Sequence, residues 1–352
     1  MRKILYMASA VAFMACSSSK NASNDEDANV DQAAKYAATI TAKDLGTHLF
    51  IYASDEFEGR ETGEPGQKKA VEYLKNFYVG KEIVSPLGGD DYFQEVPAEW
   101  INKNTRRGEY KDSENVVAFI KGSEKPDEIV VISAHLDHEG IKGEEVYNGA
   151  DDDGSGTVAM LEIAEAFQMA VKNGKGPKRS ILFLHVTGEE KGLLGSKYYA
   201  DVDPIFPLAN TVCDLNIDMI GRTDDRHKAD PNYVYLIGSD KLSTELHELS
   251  EAVNAKYTNI NLDYKYNDEN DPNRFYYRSD HYNFAKNNVP IIFYFNGTHV
   301  DYHKPTDTPD KINYELLENR TRLVFHTAWE VANRENRIVA DKAEVKTEET
   351  GK

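Results

Sequence analysis

The chain has 352 residues, enough for one large domain or two small ones with a sizeable core. Its formal net charge of −19 argues against nucleic-acid binding, which needs a basic surface. Hydrophobic residues make up 40% of the sequence, so the chain is not mostly disordered, and its two cysteines, Cys16 and Cys213, exclude a disulfide-rich scaffold.

The first residues have the pattern of an export signal. Residues 1–15 join a short basic start to an apolar run that is too short to span a bilayer, and Ala15 precedes Cys16. This pattern resembles a bacterial lipoprotein signal; an ordinary secretory signal cleaved nearby is the alternative. The resemblance implies a lipid on Cys16 that anchors the protein in the cell envelope, on a bacterial outer membrane, facing the periplasm or the exterior. Residues 16–45 are then predicted to be a lipidated tether and linker.

Strand and helix patterns alternate through the middle of the chain. Two Val/Ile-rich runs at 115–120 and 128–134 are separated by a turn-like segment, which predicts a hairpin. The alternation predicts an α/β fold in which helices cover both faces of a sheet. Residues 46–335 are predicted to be one domain, and residues 336–352 a disordered tail. The other predicted strands are 180–186, 212–217, 233–237 and 291–295, and the predicted helices are 67–77, 157–171, 243–255 and 314–332.

A histidine and an aspartate follow the strand predicted at 128–134. His135 and Asp137 are two positions apart on an extended segment, so both side chains point to the same face. A carboxylate beside an imidazole suits a metal-bound histidine that the acid orients. Taken alone, the pair is better explained as a strand-end histidine in an ordinary hydrogen bond.

Three adjacent carboxylates, Asp151, Asp152 and Asp153, precede the helix predicted at 157–171. Adjacent acids repel one another unless they are solvated or neutralised by a cation. They also suit the positive end of the following helix as capping residues. Both roles are compatible if Asp153 caps the helix while Asp152 binds a metal.

Further acids and a histidine follow other predicted strands. Glu189 and Glu190 come directly after one strand, which would let one bind a metal while the other takes a proton from water. In isolation, a solvated loop is the better explanation of this pair. Asp218 ends the next strand, where a buried carboxylate needs a partner or a metal. His303 lies in a polar loop after the last strand.

These strand ends are expected to meet, because the ends of strands in an open α/β sheet converge on one crevice. Nitrogen and oxygen ligands without cysteine fit a catalytic zinc site. Two histidines and several carboxylates are more ligands than one zinc ion needs. We therefore predict a two-metal site bridged by Asp152, with His135 and Asp218 on one ion and Glu190 and His303 on the other.

Taken together, these segments resemble the co-catalytic di-zinc aminopeptidase family, in particular its bacterial leucyl-aminopeptidase-like, lipoprotein-type members. In chain order they are SAHLDHEG, NGADDDGSG, GEEKGLLGS, LNIDMIGR, RSDHYNF and DYHKPTDT. The resemblance covers about residues 46–335 and implies a single three-layer α/β/α domain around a mixed, mostly parallel eight-stranded sheet. It implies His135, Asp152, Glu190, Asp218 and His303 as ligands of two zinc ions, Asp137 as the carboxylate behind His135, Glu189 as the general base and Tyr302 as a group that stabilises the oxyanion.

The resemblance also implies an activity. The protein would be a monomeric metallo-aminopeptidase that hydrolyses N-terminal residues from peptides, with Glu189 activating a zinc-bound water. Two other functions stay open: a glutaminyl-peptide cyclase on the same fold with one zinc, and a non-catalytic surface binding protein. Cyclases usually lack the complete DDDGSG and GLLGS segments that are present here, which makes a cyclase the less favoured function. A non-catalytic binding protein is disfavoured because no predicted ligand is missing and Glu189 is present.

Several other polar residues are given structural interpretations. Ser279, Asp280 and His281 are predicted to cap a short helix at 280–286, since three consecutive residues cannot form a catalytic triad. His185 is predicted to be a core histidine. His138 has no partner pattern, although it is near enough to the site to contact substrate.

Overall fold

The computed structural model describes residues 31–343. The predicted signal, Cys16 and the rest of residues 1–30 lie outside the described residues, as do residues 344–352, so lipidation stays a prediction. Within residues 31–343, no helix is both long enough and apolar enough to cross a bilayer.

Helices and strands alternate along the described chain. The helices are α1 (Gln32–Ala37), α2 (Ala42–Tyr52), α3 (Pro65–Gly80), α4 (Ala98–Asn104), α5 (Gly156–Lys172), α6 (Leu194–Asp201), α7 (Thr244–Tyr257), α8 (His281–Ala285) and α9 (Tyr314–Asn333). The strands are β1 (Phe93–Val96), β2 (Ser113–Ile120), β3 (Lys125–His135), β4 (Gly140–Lys142), β5 (Glu145–Tyr147), β6 (Arg179–Val186), β7 (Thr211–Ile217), β8 (Tyr233–Ile237), β9 (Asn261–Asp263) and β10 (Ile291–Phe295).

Eight of these strands form one mixed sheet in the order β1-β2-β6-β3-β7-β10-β8-β9. The four central strands, β6, β3, β7 and β10, run parallel to one another. Strand β2 runs antiparallel to β6, and β8 runs antiparallel to β10. The mixed eight-stranded sheet agrees with the expected fold class.

Helices cover both faces of the sheet, because buried side chains alternate along the central strands. In β3, Val130 and Ile132 belong to the core cluster that includes α5 and α9. Val131 points the other way and packs in the cluster that contains Tyr199 of α6 and Phe284 of α8. This alternation produces the three-layer α/β/α arrangement.

The predicted hairpin of two Val/Ile-rich strands is wrong. Strands β2 and β3 do not pair with each other, because β6 lies between them and pairs with both. Strand β6 is buried along its whole length and needs a partner on each side. The connection crosses the start of β6 so closely that a Cβ on Gly122 would lie 2.4 Å from the carbonyl oxygen of Lys178. The glycine therefore permits the crossing.

The structure also corrects both predicted ends of the domain. Helix α1 lies inside the predicted tether, yet its Tyr36 and Ala37 are buried in the main core. In the predicted tail, Ile338 is buried and Arg337 donates to the backbone oxygen of Thr211 at 2.7 Å. The folded domain extends over the described residues because apolar side chains on both sides of 46–335 find places in the core.

Candidate metal centre and active site

The four parallel central strands bring the predicted site residues together. Their carboxyl ends lie at the same edge of the sheet. His135 is the last residue of β3, Glu189 and Glu190 follow β6, and Asp218 follows β7. His303 lies in the loop after β10. Asp152 joins them from the acidic segment that precedes α5, so all five predicted ligands meet at this edge.

The first group of potential ligands surrounds the Nε2 atom of His135. That atom lies 3.1 Å from Asp152 Oδ1 and 3.7 Å from Asp218 Oδ1. The other ring nitrogen, Nδ1, lies 3.0 Å from the backbone oxygen of Asp137, to which it can donate. This contact holds the ring in the tautomer whose Nε2 lone pair faces the two acids.

The 3.0 Å contact with His135 Nδ1 comes from the Asp137 backbone and not from its carboxylate, whose Oδ1 lies 3.8 Å from His135 Nδ1. The carboxylate accepts instead from the Thr62 hydroxyl at 2.8 Å and from the backbone N–H of Glu189 at 3.1 Å. Asp137 therefore orients His135 through its backbone and the Glu189 segment through its side chain.

The second group surrounds Glu190 and includes a residue that the sequence did not assign to it. His303 Nε2 lies 3.0 Å from Asp152 Oδ2 and 3.3 Å from Glu190 Oε1. His138 Nδ1 lies 3.0 Å from the same Glu190 oxygen, and the His138 ring is fully buried. The sequence feature that could have indicated His138 as a ligand is its spacing of three residues from His135. A chain that turns directly after a strand can bring both imidazoles to one centre.

Asp152 is held in place by its neighbours. Asp307 Oδ2 accepts from the backbone N–H of Asp152 at 3.2 Å and from that of Asp151 at 2.9 Å. Asp153 accepts from the N–H of Gly156, the first residue of α5, at 2.9 Å, which is the capping contact predicted for it. The three acids thus divide their roles, and only Asp152 belongs to the two groups of potential ligands described above.

The turn before this segment requires a glycine. Gly149 has a φ of +53°, and a Cβ on it would lie 2.2 Å from the Asp152 carbonyl oxygen and 2.4 Å from His138 Cγ. A side chain there would displace both residues.

The capping role predicted for Ser279 is wrong. The Ser279 hydroxyl donates to Asp218 Oδ2 at 2.7 Å and accepts from the Asn216 side-chain amide at 3.0 Å. Asp280 precedes α8 without making a side-chain capping bond. Ser279 faces the sheet edge, where it leaves the other oxygen of Asp218 directed at His135.

The two adjacent glutamates have opposite electrostatic environments. Burial raises the pKa of Glu189 well above its usual range, and repulsion from Glu190 and Asp218 adds to the effect. Burial and Asp152 would also raise the pKa of Glu190, but contacts with His138 and His303 hold it well below its usual range. Pairs of acids separated in this way can serve as proton carrier and charged ligand.

The residues fit a zinc centre. Within residues 31–343, several buried atoms that face this centre have no hydrogen-bond partner: His135 Nε2, His138 Nδ1, Asp152 Oδ2 and Glu190 Oε1. The ligand atoms of His135, Asp152 and Asp218 lie within 4.8 Å of one another, as do those of His138, Asp152 and Glu190. Imidazole and carboxylate donors without thiolates suit catalytic zinc.

Two cavities open onto this centre and share Glu189, Arg278 and Tyr302. The smaller, about 30 Å³, has apolar walls formed by Met219, Phe275, Phe293 and Phe295. The larger, about 200 Å³, is bounded by Glu190, His303, Arg107 and Tyr277. The Tyr302 ring stacks on His303 at 3.9 Å, and its hydroxyl accepts from Arg278 Nη2 at 3.2 Å.

The chain before the first strand also supports the site. Arg60 is fully buried and donates to the backbone oxygens of Leu136 at 3.1 Å, Asn148 at 2.7 Å and Gly149 at 3.0 Å. One guanidinium therefore ties the end of β3 to the segment that leads into the acidic run.

Comparison with known proteins identifies the family. The profile of peptidase family M28 matches residues 115–328, which is more than half of the chain. The chain belongs to this family. Within the match lie all five predicted ligands, together with Asp137, Glu189 and Tyr302.

Two curated relatives show how far the sequence similarity extends. The chain is 32% identical over 255 residues to a probable leucine aminopeptidase 2 of Aspergillus oryzae, over 65% of this chain and 46% of that protein. It is 27% identical over 311 residues to leupeptin-inactivating enzyme 1 of Streptomyces exfoliatus, over 80% of this chain and 59% of that protein. The chain therefore spans about half the length of these relatives.

Solved structures share the fold. The aminopeptidase LapA of Legionella pneumophila superimposes with a TM-score of 0.65 at 20% identity, over 87% of this chain and 76% of that chain. A zinc aminopeptidase of Bacillus subtilis superimposes with a TM-score of 0.63 at 17% identity, over 86% of this chain and 99% of that chain.

His185, predicted to be a core histidine, is fully buried in the present structure, with its Nε2 2.7 Å from the Tyr78 hydroxyl.

Proposed function

We propose that this protein is a metallo-aminopeptidase that uses two zinc ions to remove apolar N-terminal residues from peptides. The observation that carries the proposal is the position of Asp152. Its Oδ1 faces His135 Nε2 at 3.1 Å, and its Oδ2 faces His303 Nε2 at 3.0 Å. A carboxylate whose two oxygens face different ligand sets is suited to bridge two ions.

His135 and Asp218 would hold one zinc, and Glu190 and His303 the other, with Asp152 shared and His138 beside the second set. When bound, zinc lowers the pKa of water towards neutrality and polarises a carbonyl group. The remaining chemistry belongs to the protein. Glu189, with its raised pKa, takes the proton of the attacking water at its carboxylate and passes it to the leaving amine.

Tyr302 is placed to assist the same step. Burial and the nearby carboxylates raise the pKa of its phenol well above the usual value, so the hydroxyl keeps its proton. It can then donate a hydrogen bond to the oxygen on which negative charge develops.

The cavities favour attack at the N-terminus. The smaller one is lined by Phe275, Phe293 and Phe295, and it ends beside Asp152, Asp218 and Glu189. A free ammonium group can pair with these acids, while the first side chain contacts the aromatic walls. The names of the curated relatives, among them aminopeptidases, support this assignment.

The test compares a peptide that has an apolar, free N-terminus with the same peptide acetylated at that end. We expect stepwise shortening of the free peptide, seen by mass spectrometry of timed digests, and resistance of the acetylated one. Elemental analysis of the same preparation should give two zinc ions per chain. Internal fragments from the acetylated peptide would contradict the exopeptidase assignment, and full activity with a single zinc would contradict the two-metal site.

We also propose that the enzyme acts at the cell envelope, held by a lipid on Cys16. The support is the sequence pattern of residues 1–16 alone.

A further inference from the structure

The larger cavity has two arginines beside the acids of the proposed active site. Arg107 and Arg278 line it together with Glu189 and Glu190, and both arginines are exposed. Neither forms an ion pair with any carboxylate of residues 31–343, although the chain has 60 acidic residues against 41 basic ones. Two guanidinium groups are therefore free to pair with an anion from outside the chain.

Arg107 is hydrogen-bonded to the loop that carries Glu189 and Glu190. Its Nη1 donates to the backbone oxygen of Glu190 at 2.5 Å. Its own loop is attached to the same segment, because the Thr105 hydroxyl donates to the backbone oxygen of Lys191 at 3.0 Å. A guanidinium has five N–H donors, so this contact leaves most of them for a ligand.

Arg278 lines both cavities. Its guanidinium lies 4.9 Å from the centre of the Phe275 ring and donates from Nη2 to the Tyr302 hydroxyl at 3.2 Å. Its position is thus linked to both cavities, since Phe275 lines the smaller one and Tyr302 lines both.

We infer that Arg107 and Arg278 form a carboxylate-binding subsite for the part of the substrate that follows the scissile bond. The inference rests on the proposed function: if the N-terminal side chain occupies the smaller apolar cavity, the next residue must enter the larger one. Guanidinium groups recognise carboxylates with paired N–H donors. The larger cavity, at about 200 Å³, holds roughly seven water volumes of about 30 Å³ each, so it has space for about one residue.

Two groups could supply the carboxylate. In a dipeptide it is the C-terminal carboxylate, and in a longer peptide it is the side chain of an acidic second residue. Both place a negative charge one residue beyond the scissile bond. The enzyme is therefore selective for substrates with a carboxylate at this distance.

The test measures kcat/KM for matched substrate pairs. Leucyl-alanine against its amide isolates the C-terminal carboxylate, and leucyl-glutamate amide against leucyl-glutamine amide isolates the side chain. We expect the wild type to prefer the carboxylate in at least one pair by on the order of tenfold. Arg107→Gln should reduce that preference towards one, and higher salt should weaken it.

The matched control is Arg106→Gln. Arg106 is the exposed neighbour of Arg107, does not line the cavity, and its replacement removes the same charge. This variant should keep the preference. A wild type that hydrolyses both members of each pair equally, or an Arg107→Gln variant that behaves like Arg106→Gln, would overturn the inference while the proposed activity stands.

Binding provides a readout that does not depend on turnover. In a Glu189→Gln background, calorimetry should show tighter binding of leucyl-alanine than of its amide, and Arg107→Gln should remove the difference. Equal affinities there for acid and amide in both substrate pairs would contradict the subsite. If the wild type hydrolyses none of these substrates, the proposed function fails, and the binding preference alone decides on the subsite.

Discussion

Glu189 and Glu190 are neighbours in the chain, but their side chains have different surroundings. Glu190 faces two imidazoles at 3.0 and 3.3 Å, whereas Glu189 lines both cavities. Chain position alone does not separate these roles, because two adjacent acids in a loop could exchange them. The contacts of each carboxylate support the proposed assignment of Glu190 as a ligand and Glu189 as the base.

This assignment predicts different defects for the two amide variants. Glu189→Gln should keep its zinc and lose about 10²–10⁴-fold in kcat, because it removes the proton acceptor. Glu190→Gln should lose zinc, because it removes a charged ligand. Elemental analysis and steady-state kinetics on both proteins check this, and a reversal of the two phenotypes would show that base and ligand are interchanged.

Sequence motifs were sufficient to place the five predicted ligands, Asp137, Glu189 and Tyr302 at one centre, because most of them follow a recognisable strand and Asp152 precedes a recognisable helix. They were not sufficient for His138 and Ser279. His138 reaches Glu190 only because the chain turns back after β3, and Ser279 reaches Asp218 from a distant loop. Such contacts depend on tertiary structure, which local patterns do not encode.

At the scale of elements, most apolar runs predicted strands and helices whose bounds differ from those observed by only a few residues. The pairing of β2 with β3 was wrong, since chain proximity favours a hairpin whereas the buried strand β6 requires two partners. The predicted tether likewise missed α1. That helix is short, and its burial against α5 and α9 stabilises it more than its own sequence does.

Helix α5 contains a buried acid away from the active site. Glu162 is 4% exposed, lies 3.6 Å from His48 Nε2, and has a pKa raised by burial to about 8 from 4.5. The unfolded chain loses this proton near pH 4.5, whereas the folded chain keeps it until about pH 8. Glu162 therefore reduces stability progressively as the pH rises through this window.

Glu162→Gln should remove this dependence. We expect the free energy of unfolding of the variant, relative to wild type, to increase between pH 5 and pH 8 and to level off above. Denaturant unfolding of both proteins at several pH values measures this difference in the free energy of unfolding. Glu248→Gln, at an exposed position of α7, is the control and should not reproduce the trend. A pH-independent difference for Glu162→Gln would contradict the argument.

At the scale of the whole molecule, we expect the domain and its proposed anchor to be separable. Cys16 lies outside residues 31–343, which the structure describes. Cys16→Ser should therefore abolish lipid labelling and membrane association while aminopeptidase activity per folded protein is retained. Cell fractionation with lipid labelling checks this.

Cys213→Ala is the control for that experiment. Cys213 is buried in β7 and should have no influence on fractionation. If the Cys16→Ser protein still sediments with membranes as the wild type does, the lipoprotein interpretation is wrong.

The contacts of Arg60 and Thr62 have a consequence for how the chain can be divided. The family match begins at residue 115, yet Thr62 supplies a donor to Asp137, and Arg60 fixes the backbone at Leu136 and Gly149. A fragment limited to residues 115–328 would leave the Asp137 carboxylate and several buried carbonyl groups without these donors, at a cost of about 1–3 kcal/mol each. Residues 115–328 identify the family, but Arg60 and Thr62 lie outside them. The shape of the sheet edge that carries the predicted ligands thus depends on a part of the chain that the family profile does not include.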